Sequence, residues 1–191
     1  MKKIFLFAAV AALTACNSST EKKDDAAGSM KSDSTKSDEI VYPYTTSFSI
    51  TGLGDPKHSQ TVLNIWKAWD SRDISSVKDS FADSLELHLS DGTTIKGSRD
   101  SILSVMKSFQ DNFNSIVSSV NSVMSLKGMN SLNNQNEEYV AVWGTEVTTS
   151  KTGKMDSIWL HEVWRINKDG KTDYVSQFAQ VIPKTSATKS K

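Results

Sequence analysis

The chain has 191 residues, with 22 Lys plus Arg set against 22 Asp plus Glu and a formal net charge of zero. That balance excludes nucleic acid as a partner, because no excess of basic side chains is present to follow a phosphate backbone. Cys16 is the one cysteine, which excludes an internal disulfide and leaves stability to packing.

The N-terminus reads Met1-Lys2-Lys3 and then an apolar run from Ile4 to Leu13, the charge and hydrophobic length of an export signal. The run is too short to span a bilayer as a lasting helix. It ends in Leu13-Thr14-Ala15-Cys16, which resembles the lipobox of bacterial lipoproteins. The competing reading is an ordinary secretory signal that ends beside a cysteine. The resemblance implies that residues 1–15 are a signal peptide, that Cys16 becomes the first residue and carries acyl chains such as palmitate, and that the membrane is a partner. Several chains, at about 0.8 kcal/mol per buried methylene, make an anchor that one chain does not. Asn17 comes next in place of an acidic residue, and the resemblance then implies the outer membrane over the inner one.

Residues 16–47 are polar and charged with almost nothing to bury, the composition of a disordered tether. About 30 such residues would hold a folded domain on the order of 30 Å from the lipid. Residues 48–182 make one domain with a normal apolar content, and 183–191 read as a disordered tail. Asp55-Pro56 predicts a helix start, with Val62, Ile65, Trp66 and Trp69 beyond it at helical spacing. Asp73 predicts the cap of a second, shorter helix with Ile74, Val77 and Phe81 on one face.

Leu85, Leu87 and Leu89 alternate with polar residues up to Asp91-Gly92, a strand entering a tight hairpin whose short return arm is Thr93-Thr94-Ile95. Ser98 then caps a third, strongly amphipathic helix with Ile102, Met106, Phe109 and Phe113 at helical intervals. Four β-rich stretches close the domain, at 116–129, 139–149, 157–167 and 174–182, with glycine-bearing turns at Gly153 and Gly170. Helices first and hairpins after predict an α+β domain in which a curved antiparallel sheet wraps a long helix and leaves a cone-shaped cavity.

Two segments, Phe81 to Ile102 and His161 to Lys171, resemble the nuclear transport factor 2-like fold and its SnoaL-like branch. The likeness runs from about Gln60 to Gln180. It implies the order α-α-β-β-α-β-β-β-β, a homodimer formed through the exposed sheet face, and a cavity that serves either binding or isomerase, cyclase or dehydratase chemistry. Fold alone assigns no reaction. The final strand carries Tyr174, Ser176, Gln177 and Phe178 with only Asp173 near its start, so a carboxylate deep in the cavity is not evident.

Candidate proton-transfer groups are His161, Glu162 and Asp83, with Asp70 and His88 also in view. On a strand His161 and Glu162 point to opposite faces, so one of them at most looks into a cavity. His161 shares its face with Trp159 and Val163, Glu162 with Leu160 and Trp164. Trp66, Trp69, Trp143, Trp159 and Trp164, together with His88, are the expected walls for a flat apolar or sugar-like ligand. A helix-borne zinc pair needs a second histidine four residues after His161, where Arg165 stands, so neither metal nor cofactor is expected. The leading expectation is an envelope protein that binds a small apolar or ring-shaped ligand or a partner protein in its cavity, with catalysis not evident. An acid or imidazole buried in an open cone beside a polar partner would instead favour an enzyme, and a cone filled by Trp and Phe would exclude one.

Overall fold

A computed structural model describes residues 43–183. The signal segment, Cys16, most of the tether and residues 184–191 lie outside the described residues. The elements are β1 (Phe48–Leu53), α1 (Pro56–Asp70), a 3-10 segment (Ile74–Ser80), β2 (Phe81–His88), β3 (Thr94–Ser98), α2 (Arg99–Gln110), β4 (Phe113–Asn130), β5 (Gln135–Ser150), β6 (Met155–Ile166) and β7 (Thr172–Val181). One curved sheet of seven strands has the order β1-β4-β5-β6-β7-β2-β3.

Both helices start where the sequence places them. Asp55 accepts a hydrogen bond from the Lys57 amide at 2.9 Å, and Pro56 stands at the first helical position, where its missing N–H costs nothing. Ser98 accepts from the Ser101 amide at 3.3 Å. Asp100 in the first turn of α2 and Lys107 in its last suit the helix dipole. The hairpin turns use Gly92, Gly153 and Gly170 at positive φ of 87°, 83° and 72°, conformations open to glycine at no steric cost.

Several local expectations are corrected. Residues 48–53 form an edge strand, β1, paired with β4, because Phe48 packs edge-on against Tyr139 with 5.1 Å between ring centres. Asp73 makes no side-chain cap, and the short second helix is 3-10 in character with a kink at Val77. Phe113 belongs to β4, since α2 stops at Gln110, whose buried amide donates to the Trp69 carbonyl at 2.8 Å. The β2–β7 pair is parallel, while every other pair in the sheet is antiparallel.

The core lies between the helices and one sheet face. Val62, Ile65, Ile74, Phe81, Leu85, Ile102, Val140 and Val142 are almost completely buried there. Helix α1 packs on β4 and β5, and α2 on β2 and β3. Burial alternates along β6, with Leu160, Glu162, Trp164 and Ile166 inside. Along β5 the inner set includes Val140 and Val142. Side-chain alternation on a pleated strand therefore brings Glu146, an even number of residues from Val142, to the same inner face.

Candidate active site

Between the helices and the sheet is a cavity of about 400 Å³ with mostly apolar walls. Its floor is Glu162 on β6, a buried carboxylate held by three neutral donors. Trp66 Nε1 donates to Oε2 at 2.6 Å, Trp164 Nε1 to the same oxygen at 3.1 Å, and Gln177 Nε2 to Oε1 at 2.9 Å. Trp66 comes from α1 and Gln177 from β7, where it is the register partner of Glu162. Burial pushes the Glu162 pKa up, against the pull of Gln177, Trp66 and Trp164, whose N–H groups favour the anion.

Glu146, on the neighbouring strand β5, is the second carboxylate of the cavity. It is less deeply buried than Glu162 and accepts from Trp69 Nε1 at 2.8 Å. Burial raises its pKa to about 7; the Trp69 hydrogen bond opposes this, and the like charges of Glu162 and Asp70 add to it. Asp70, at the end of α1, is held by the Ser118 hydroxyl at 2.7 Å. Trp66 and Trp69 lie one helical turn apart on α1, so a single helix face presents both indole N–H groups to the two carboxylates.

Of the residues expected from the sequence, Trp66, Trp69, Trp164, His88 and Glu162 line this cavity. His88 stands beside Tyr174 with its Nε2 donating to Glu86 at 2.7 Å. Trp143, Trp159 and His161 do not line it: they lie on the outer sheet face. The reason is strand parity. Leu160, Glu162, Trp164 and Ile166 take the inner positions of β6, so the odd-numbered residues face outward. There the His161 ring stacks between Trp143, at 4.6 Å, and Phe178, at 5.8 Å. Asp83 is also outside, its side chain 93% exposed and 3.4 Å from Arg99 Nη1. The carboxylates of the cavity come from β5 and β6, as Glu146 and Glu162, and not from the final strand, where Asp173 stands near the start.

Sequence reasoning passed over Glu146. One signal was available: Val140, Val142 and Gly144 share a strand face with Glu138 and Glu146, and an acid closing an apolar stripe is a cavity candidate. Gly144 is itself required there. A Cβ would stand 2.5 Å from the Ser119 carbonyl oxygen and 2.9 Å from the Trp66 ring. Among the described residues, no group of three or more His, Cys, Asp or Glu side chains converges in a metal-binding arrangement.

Such a site can exchange protons. An acid that is anionic or neutral near pH 7 stands in the same apolar chamber as a deeper carboxylate of raised basicity. No family model matches the chain, and neither does any curated protein. Among solved structures, an NTF2-like protein of unknown function from Burkholderia pseudomallei is 17% identical, over 64% of this chain and 90% of that one, with a TM-score of 0.51. A LEH-like epoxide hydrolase from M. tuberculosis is 12% identical, over 65% and 84%, with a TM-score of 0.51. AclR from Streptomyces galilaeus is 19% identical, over 66% and 91%, with a TM-score of 0.50. At these identities the likeness is one of fold.

Proposed function

We propose that this domain of nuclear transport factor 2-like fold binds a small, largely apolar molecule in its cavity and exchanges a proton with it through Glu162. The observation that carries the reading is a buried carboxylate at the floor of an apolar chamber, held by two indoles and an amide. A cone packed solid with Trp and Phe would have left binding and catalysis without a place. The cavity volume, about 400 Å³, suits a ligand of one or two rings. That one structural neighbour is an epoxide hydrolase supports a chemical use of the cavity without naming the reaction.

The division of labour comes from the surroundings. Three N–H donors hold the Glu162 carboxyl in one orientation, and the apolar walls make its carboxylate a stronger base than a solvated one. Glu146, with a pKa of about 7 and more exposure, accepts or returns a proton on the solvent side. The purely binding role expected first is thereby placed second.

A minimal carbon acid tests this. 2-Tetralone, an apolar bicyclic ketone, is incubated with the protein in D2O and its α-hydrogen exchange monitored by NMR. The wild type is expected to accelerate exchange and Glu162→Gln to lose the acceleration while still binding the ketone. Equal rates with both proteins, at saturating ketone, would leave a binding domain.

The outer sheet face, with Trp143 37%, Trp159 45% and Phe178 58% exposed, is read as the contact of a homodimer, because apolar area gathered on one face marks an interaction surface. The Leu13-to-Cys16 sequence supports anchoring by lipid on Cys16 to a bacterial membrane, the outer one by Asn17. Metabolic labelling with palmitate, lost in Cys16→Ala, tests the anchor, and fractionation of the two membranes tests its location.

A further inference from the structure

Among the described residues, the chamber holds two carboxylates and no strong cation of the protein's own. Among the described residues that line it there is no lysine or arginine, and His88 has its Nε2 turned to Glu86. The donors on Glu162 are neutral N–H groups. Glu146 accepts one side-chain hydrogen bond, from Trp69 to Oε2, and its Oε1 accepts none from the described residues. A buried anion without a counter-charge is costly, and the cost falls when a cation arrives beside it.

The walls suit a cation as well. Trp69 is stacked with Phe109, 6.1 Å between ring centres, and Phe109 packs on Phe113 at 5.5 Å. Phe109 lines the cavity and is 56% exposed, so this aromatic run reaches from the chamber to the protein surface. Aromatic faces attract ammonium groups and repel carboxylates and phosphates. An anionic ligand would meet two acids with no cation to receive it.

We propose that the occupant of the cavity is an apolar organic cation, a ring-bearing ammonium whose nitrogen rests on Glu146 beside Trp69 while its apolar body reaches in towards Glu162. The inference rests on the cavity being a ligand site and names the class of ligand. Glu146 is the anchor, because its free oxygen can accept an N–H and Glu162 is already occupied by three donors. The groups facing Glu146 are Asp70 from α1 and Glu162 from β6, both of like charge. Ser118 comes from β4, His88 lines the same cavity from β2, and α2 contributes only Val105, Met106 and Phe109. Binding of an ammonium therefore holds Glu146 ionised, and a proton leaves the protein wherever Glu146 was neutral before.

Three probes of one shape separate the possibilities: 2-naphthylmethylammonium, 2-naphthylmethanol and 2-naphthoate, titrated calorimetrically into the full chain. At pH 8 the ammonium is expected to bind at least tenfold more tightly than the alcohol, and naphthoate not measurably. The ammonium preference shrinks at pH 6, and proton release shows as a buffer-dependent heat. In Glu146→Gln, with alcohol affinity and Tm as evidence of an intact fold, the ammonium falls to the level of the alcohol. Should that variant fail to fold, the buffer-dependent heat of the wild type decides alone. Equal affinity for ammonium and alcohol overturns the cation and leaves the cavity reading standing, as does a preference that survives Glu146→Gln. No binding by any of the three overturns both.

Discussion

Trp66 Nε1 stands 2.6 Å from Glu162 Oε2, a hydrogen bond that ties the middle of α1 to the centre of β6. It joins fold and site: the indole ring belongs to the core, and its N–H partly offsets the desolvation of a buried acid.

Replacing Trp66 with Phe keeps an aromatic ring and removes the donor. Trp164 and Gln177 remain on the carboxylate, so Glu162 stays anchored but less well satisfied. A loss of about 1–3 kcal/mol is expected, the range for a buried acceptor deprived of a partner together with some lost packing. Urea denaturation at pH 8 measures it. The deficit should narrow as pH falls and Glu162 takes up its proton, because the neutral acid needs the donor less, and a pH-independent deficit would mean that packing alone was lost.

Gly144 allows the same geometry from the sheet side. A methyl group there would overlap the Ser119 carbonyl oxygen and the rim of the Trp66 ring, at 2.5 Å and 2.9 Å. Backbone on one side and a locked indole on the other leave little room to give. Gly144→Ala is expected to destabilise by about 1–3 kcal/mol through overpacking and to weaken any ligand that touches Trp66. A thermal melt of the variant checks the first, and an unchanged Tm would show that β4 and β5 can part locally at no cost.

Much of this was legible in the sequence because local signals and burial agree. Asp55-Pro56 and Ser98 mark the two helix starts, and Gly92, Gly153 and Gly170 sit at turns that require positive φ. The facing of β6 was harder: both of its faces carry tryptophan, so aromatic content could not separate them. The apolar completeness of Ile158, Leu160, Trp164 and Ile166 against a face holding His161 and Arg165 was the better guide. Glu146 and β1 escaped for a different reason. The value of each depends on a distant partner, Trp69 on α1 or β4 across the sheet edge, and sequence spacing carries no record of such a contact.

The outer face gives a prediction about assembly. Phe178 is exposed beside His161, and Trp143 lies on the far side of that ring. If two copies meet there, Phe178→Glu places a charge in an apolar contact and should convert dimer to monomer. Sedimentation velocity at micromolar protein reads the change. The cavity lies on the other side of the sheet, so ligand binding is expected to persist. A wild type that sediments as a monomer would overturn the dimer.

The cavity acids should make the protein lose stability as pH rises towards neutrality. Below the ordinary glutamate value of 4.5, Glu146 is protonated in both the folded and unfolded chains and contributes nothing to the difference. Between there and its folded value of about 7, the unfolded chain ionises while the native one keeps its proton. Unfolding then releases a proton, and each unit of pH costs stability, up to about 3 kcal/mol in all by pH 8. Glu162 is shifted the same way by burial and adds to the slope. Glu86, Asp91, Asp111 and Glu137 are held below their ordinary values by hydrogen bonds to His88, Thr93, Lys107 and Asn133. Their contribution has the opposite sign, but it is lost only as pH falls below the ordinary carboxylate range, so the two effects occupy different windows. Denaturant melts at pH 5, 6, 7 and 8 should therefore show wild-type stability falling across the series. Glu146→Gln should match the wild type near pH 5 and exceed it at pH 8. A wild-type profile that is flat or rising over that range would mean that both acids are solvated, and the apolar chamber would lose its claim to tune them.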